Sequence, residues 1–258
     1  MTKFSPLPHP GHLGSDYTPS LTGKRILIVD DSAACRMVQE AMAKAMGAFV
    51  ETAETAVQAM VASDASTFDL IILDIGLADA DGRVLARTLR ETPNGKAAAI
   101  LCVSGLGGQN RIEGALVAGA DAFTEKPFAS VAAFGQASSN AITRHLGSSK
   151  IADQIAEQAP AHIEFDDALS PHIASYAIDD LSRARARLLA AVSKGDVSAA
   201  RRAGHFISGV ASLIGETALG AASRSLEIAS GDTGALRSVE AVLGLAFEAE
   251  IKLKTAIS

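Results

Sequence analysis

The run Leu70-Ile71-Ile72-Leu73-Asp74 sets four apolar residues directly before a carboxylate. A segment that is apolar at every position, and not at alternate ones, fits a strand covered on both faces. That is the habit of a parallel sheet between two helix layers. Asp74 then stands at the carboxyl end of the strand, where open α/β sheets bind their ligands. An aspartate in that place is also an ordinary turn former, so its meaning depends on what ends the other strands.

The rest of the first half supplies those strands. From Lys24 onward, strand-like runs at residues 25–29, 48–52, 69–73, 98–103 and 121–124 alternate with helical patterns at 32–46, 55–62, 82–90, 109–117 and 130–145. Such alternation predicts a doubly wound α/β domain with a five-stranded parallel sheet and right-handed crossovers. Ser32 is placed to cap the first helix at its start and Gly47 to close it. Four divisions follow: a flexible, proline-containing tail over residues 1–22, an α/β domain over 23–146, a linker over 147–170 with a short helix near 151–158, and an all-α four-helix bundle over 171–258.

A chain of 258 residues can bury two cores of ordinary size. Its net charge of −6, with no basic run, argues against gripping nucleic acid. No apolar stretch reaches bilayer length, and the first residues lack the layout of a signal peptide, so a cytoplasmic protein without a membrane partner is expected. Cys35 and Cys102 lack metal-site spacing and read as buried thiols. His9 and His12 read as part of a solvated tail, and His162 and His172 have no identifiable partners.

The strand ends form a set. The first strand finishes in Asp30-Asp31, the third in Asp74, the fourth in Ser104, and the fifth leads through Phe123 to Lys126-Pro127-Phe128. Two unit charges about 4 Å apart repel by roughly 4 kcal/mol at an effective dielectric near 20, so three carboxylates in one crevice call for a cation. An all-oxygen donor set suits Mg²⁺ better than zinc. With a metal and the Lys126 ammonium neutralising phosphoryl oxygens, Asp74 could take a phosphoryl group in line and become an acyl phosphate.

These motifs resemble the response-regulator receiver domain over roughly residues 23 to 146, and the resemblance implies a flavodoxin-like fold. It implies that Asp74 is phosphorylated. Asp30, Asp31 and Asp74 would hold Mg²⁺ together with the Gly76 carbonyl, Ser104 and Lys126 would contact the phosphoryl group, and Phe123 would be the aromatic switch residue responding with Ser104. Two positions depart from the pattern: the customary loop proline is Ala78, and the switch residue carries no hydroxyl.

From Ile173 the pattern changes to long helices, at about 173 to 194, 196 to 214, 216 to 230 and 233 to 256. In the second, at about 100° per residue, Ala203, Ile207, Val210 and Ile214 form an apolar stripe. His205 points to the opposite side and shares that face with Arg201, Arg202, Ser208, Gly209 and Ser212. Gly209 costs roughly 1 kcal/mol in a helix interior, and it removes bulk beside the imidazole. The segment from Ala203 to Gly209, with Leu213-Ile214-Gly215 and Leu226-Glu227, resembles the histidine phosphotransfer (HPt) domain over about residues 166 to 258. That similarity implies that His205 is a phosphoacceptor with Gly209 giving clearance; the position three after the histidine, commonly Lys, is Ser208.

Together the two resemblances imply a phosphorelay protein charged by a histidine kinase, with His205 exchanging phosphate with its own receiver or a separate one. No glycine-rich ATP-binding pattern is present. A second possibility is a receiver-gated binding module whose bundle is never phosphorylated, a possibility that Ser208 favours. A third is a phosphohydrolase with an Asp nucleophile, which would want a second Asp where this chain has Gly76.

Overall fold

The structure is a computed structural model and describes residues 20–105, 108–147, 170–229 and 232–257. The expected tail up to residue 19, most of the expected linker with its helix at 151–158, and His9, His12 and His162 lie outside the described residues.

The first half holds strands β1 (Arg25–Val29), β2 (Phe49–Ala53), β3 (Leu70–Asp74), β4 (Ala99–Ser104) and β5 (Ala122–Glu125). They alternate with helices α1 (Ala33–Ala45), α2 (Ala56–Ala65), α3 (Gly82–Leu89), α4 (Pro93–Ala97), α5 (Gln109–Val117) and α6 (Val131–Leu146). All four strand pairings are parallel, in the order β2-β1-β3-β4-β5. This is the flavodoxin-like order, and its direction reverses between β1 and β3.

Every residue of β3 is buried, as the unbroken apolar run predicts. Because successive side chains point to opposite faces, Leu70 and Ile72 join the core beneath α1 and α6, whereas Ile71 and Leu73 join the core beneath α2, α3 and α5. Ser32 caps α1 by accepting from the Cys35 amide. Gly47 follows that helix at φ 83°, in the left-handed region where a side chain is disfavoured. Strand boundaries lie one residue later than expected at β2, β3, β4 and β5, and α4 is an addition to the expected elements. With five residues it is too short to show a helical period; what makes it is Pro93 in the first turn and the Thr92 hydroxyl accepting from Gly95 N.

The second half contributes α7 (Pro171–Ser193), α8 (Val197–Leu213), α9 (Thr217–Ile228) and α10 (Asp232–Ala256). Each packs on the next, and α10 returns to α7. The helices α7 and α8 also pack on α1, so one apolar core runs from the sheet through Ala34, Val38 and Met42 into Leu181, Phe206 and Ile207. No helix among the described residues is long and apolar enough to cross a membrane.

Candidate functional site

The reversal of strand order opens a crevice at the carboxyl ends of β1 and β3, where Asp30, Asp31 and Asp74 meet. Each offers an oxygen, and these oxygens lie within 4.8 Å of one another. Lys126, carried in on the loop after β5, places Nζ 2.8 Å from Asp30 Oδ2 and 2.9 Å from Asp74 Oδ2. Ser104, the last residue of β4, is fully buried, and Phe123 is half-buried on β5 against the far-side core.

The three carboxylates are not equivalent. Asp30 is fully engaged, accepting from the Ser32 amide, Gln39 Nε2 and Lys126 Nζ. Asp31 Oδ2 is buried and accepts no hydrogen bond; its cationic neighbour is Arg187 on α7, with Nη1 at 3.7 Å. Burial pushes the Asp31 carboxyl well above the usual carboxylate range, helped by the charges of Asp74 and Asp30. Burial also raises Asp30, with Lys126 opposing. Burial would raise Asp74 too, but Lys126 and His205 outweigh it and hold that group ionised, below the usual range. Lys126 is held charged, because the attraction of Asp30 and Asp74 exceeds the cost of burying it. An all-oxygen cluster with one orphaned buried oxygen and too little positive charge fits a divalent cation such as Mg²⁺.

The bundle completes the crevice from the other side. The His205 ring is buried, with Nε2 3.7 Å from Asp74 Oδ1, too long for a hydrogen bond but close for an ion pair. Its Nδ1 lies 3.1 Å from Glu227 Oε2 on α9. A carboxylate can only accept there, so Nδ1 carries the proton and Nε2 faces Asp74. Burial alone would lower the imidazole; Asp74 and Glu227 prevail and push it up to about 9. Arg111 on α5 reaches the same Glu227 oxygen, with Nη2 at 3.2 Å.

The imidazole pictured from sequence as outward and open to solvent is therefore enclosed by the first half of its own chain. Helix α8 is buried on nearly every side, from Ala203 through Ala211, because its apolar stripe meets the bundle while its opposite face meets the acidic crevice. Gly209 lies at this contact: a β-carbon there would sit 4.0 Å from Lys126 Nζ, and a β-carbon on Gly105 would fall 3.6 Å from the Gly209 backbone. The Ser208 hydroxyl is buried beside Gly105 without a hydrogen-bond partner. Ser212 Oγ donates to Ser208 O. The two arginines of the expected docking face turn elsewhere: Arg201 Nη2 donates to Ala229 O at 2.6 Å, and Arg202 Nη1 to Ser198 Oγ at 2.8 Å. His172 packs edge-on against Tyr176.

The fold and the acidic crevice place the first half among receivers of two-component signalling, and the comparisons agree. Residues 26–134 match the response regulator receiver domain. The chemotaxis protein CheY of Bacillus subtilis is 34% identical over 105 residues, which cover 86% of that protein and 40% of this chain. The chain belongs to the response-regulator receiver family through this region. The gliding motility regulatory protein of Myxococcus xanthus is 35% identical over 119 residues, 46% of this chain. The chain spans 15% of that relative's length and 44% of the KDP operon transcriptional regulatory protein of Escherichia coli. Among solved structures, the receiver domain of a Pseudomonas aeruginosa sensor histidine kinase with magnesium in its active-site cleft is 28% identical. That alignment covers 49% of this chain and 99% of that one, with a TM-score of 0.43. Residues 26–134 are thus a receiver domain, the module that accepts phosphate on an aspartate in two-component signalling.

Proposed function

We propose that the chain is a phosphorelay protein in which the receiver takes a phosphoryl group on Asp74 and the bundle, an HPt-like four-helix unit, exchanges it through His205. What carries this reading is the 3.7 Å approach of His205 Nε2 to Asp74 Oδ1, with the Lys126 ammonium 2.9 Å from the same carboxylate. Two residues far apart in sequence, each carrying the acceptor atom of one half, are aimed at each other across one crevice.

Asp30, Asp31, Asp74 and the Gly76 carbonyl would hold Mg²⁺, which supplies charge neutralisation to a transferring phosphoryl group when bound. In the forward direction the imidazolium that Asp74 and Glu227 favour first gives its Nε2 proton to solvent; the freed Nε2 lone pair attacks phosphorus, the P–O bond to Asp74 breaks, and the carboxylate leaves with its electron pair. The ring keeps its Nδ1 proton on Glu227 throughout, so the positive charge that develops on the imidazole faces a buried carboxylate. Lys126 and Ser104 would steady the phosphoryl oxygens, and the Ser208 hydroxyl has a free donor beside Gly105. Phe123 would follow Ser104 as the switch residue. Arg201 and Arg202 hold backbone and side chains of the bundle and take no part. A histidine kinase would charge Asp74, and a separate receiver could take phosphate from His205 only after the two halves part.

The test is phosphorylation by a small-molecule phosphodonor with Mg²⁺, comparing wild type, Asp74→Asn and His205→Ala. The wild type should gain base-stable, acid-labile label on His205. Asp74→Asn should gain none, and His205→Ala should keep only base-labile label. Absence of base-stable label in the wild type would leave a receiver with a bundle that docks and never carries phosphate.

A further inference from the structure

Asp180 on α7 is fully buried, yet its side chain faces away from the bundle core and onto the receiver. Its Oδ2 accepts from Ser32 Oγ at 2.8 Å and from the Ala34 amide at 3.1 Å, and Arg183 Nη2 binds Oδ1 at 2.5 Å. The two receiver donors are the N-cap side chain and a first-turn amide of α1, where orphaned N–H groups and the helix dipole favour a negative charge. Ser32 is used in both directions, since the oxygen that donates to Asp180 also accepts from the Cys35 amide at 3.1 Å. A carboxylate at position 32 could cap α1 equally well but has no proton for Asp180.

We propose that Asp180 is a recognition residue by which the bundle selects its partner. The surface of α7 and α8 fits a receiver whose first helix opens with a hydrogen-bond donor directly after the acidic pair, as Ser32 does after Asp31, and rejects one that opens with Asp or Glu. The partner it fits here is the receiver of the same chain. Both sides of the contact are dry: Ser32 and Asp180 are 3% and 0% exposed, and the apolar core is continuous around them. A second carboxylate could not be screened by water in that place. Arg187, on the same face of α7 and 3.7 Å from Asp31, extends the contact to the rim of the crevice.

The experiment is amide hydrogen exchange on the full chain. Ser32→Asp preserves a good N-cap, so α1 stays folded while the two carboxylates face each other. Exchange at Ala34 and along the buried face of α7 should rise by about tenfold or more, as expected for an uncompensated buried charge, with β3 and β4 still protected. Adding Asp180→Asn should restore much of the protection, because one of the two facing charges is gone and Nδ2 in the place of Oδ2 donates to the carboxylate introduced at position 32, at the cost of the Ala34 hydrogen bond. Unchanged exchange in Ser32→Asp, or no recovery in the double variant, overturns the inference. Wild-type protection that falls on dilution also overturns it, since the bundle would then be docking on a second copy. Exchange reads docking whether or not phosphate reaches His205, so failure of the relay leaves this result standing.

Discussion

The imidazole of His205 occupies the space that a side chain on Gly76 would need: a β-carbon on Gly76 would fall 1.6 Å from His205 Cδ2 and 1.9 Å from Nε2. Gly76 lies two residues after Asp74, and its amide donates to Asp74 Oδ1 at 3.2 Å. The missing side chain is therefore what lets the bundle reach Asp74. Gly76→Ala keeps the backbone carbonyl, so phosphorylation of Asp74 by a small donor should persist. The ring must move by an ångström or more, and a misplacement of that size costs about 10²-fold in rate. Quantifying base-stable label over time checks this, and an unchanged rate would mean His205 does not approach from this side.

The acidic crevice carries its own stability test. A carboxyl held well above its usual pKa, as Asp31 is by burial and its acidic neighbours, opposes folding wherever it must be ionised, that is, above its unfolded value near 3.8. Asp31→Asn should therefore raise the melting temperature at pH 7 without divalent metal. Wild type should gain stability on adding Mg²⁺, by about 2.7 kcal/mol at a hundredfold excess over Kd, and the variant should lose most of that gain. Calorimetry with and without Mg²⁺ gives both numbers. A larger Mg²⁺ response in Asp31→Asn than in wild type would contradict the assignment.

Docking should weaken at alkaline pH. Against the depressing effect of burial, Asp74 and Glu227 push His205 up to about 9, above the ordinary 6.5. A raised imidazole contributes stability that is fully present below pH 6.5 and is lost as pH rises through about 9. Proton NMR of the ring should show a titration midpoint near 9 in the wild type. Asp74→Asn should bring it down, and protection of α8 amides should fall over the same window. A midpoint at the ordinary imidazole value would show the ring outside the crevice.

Much of this is legible in the sequence. The four-residue apolar run announces a doubly covered strand, and period-2 burial does the rest, sending Ile71 and Leu73 one way and Leu70 and Ile72 the other. Asp30, Asp31, Asp74, Ser104 and Lys126 can be grouped because parallel sheets bring strand ends to one edge, and the structure does bring Asp30, Asp31, Asp74 and Lys126 into direct contact range. The docking of the two halves is not legible. Asp180 and Arg187 look like ordinary charges on a long helix; only burial distinguishes Asp180, and only its 3.7 Å approach to Asp31 distinguishes the exposed Arg187. Helical period puts His205 opposite the apolar stripe, correctly, but a polar face covered by another polar surface has the same pattern as one facing water. Arg201 and Arg202 are drawn toward the histidine by proximity in sequence; their long side chains reach the bundle's own carbonyl and hydroxyl oxygens instead. A signal for Glu227 exists in its place beside the buried Leu226, on a helix of small residues with few other acids.

Glu227 ties the receiver to the orientation of the His205 ring. Its Oε2 meets His205 Nδ1 at 3.1 Å and Arg111 Nη2 at 3.2 Å, while its Oε1 is buried without a partner. Glu227→Ala removes the acceptor that fixes the Nδ1 proton, so the ring should lose its single tautomer and transfer from Asp74 should slow by about 10²-fold, the scale of losing an orienting group. Glu227→Gln keeps an oxygen acceptor without the charge and should recover the tautomer while remaining slower than wild type. Arg111 is about one-third exposed, so Arg111→Ala should cost roughly 1 kcal/mol or less and slow transfer only modestly. Nitrogen-15 shifts of the His205 ring separate these outcomes from simple unfolding. Read above the ring's titration midpoint, a neutral imidazole still protonated at Nδ1 in Glu227→Ala would assign the orientation of the ring to some other group.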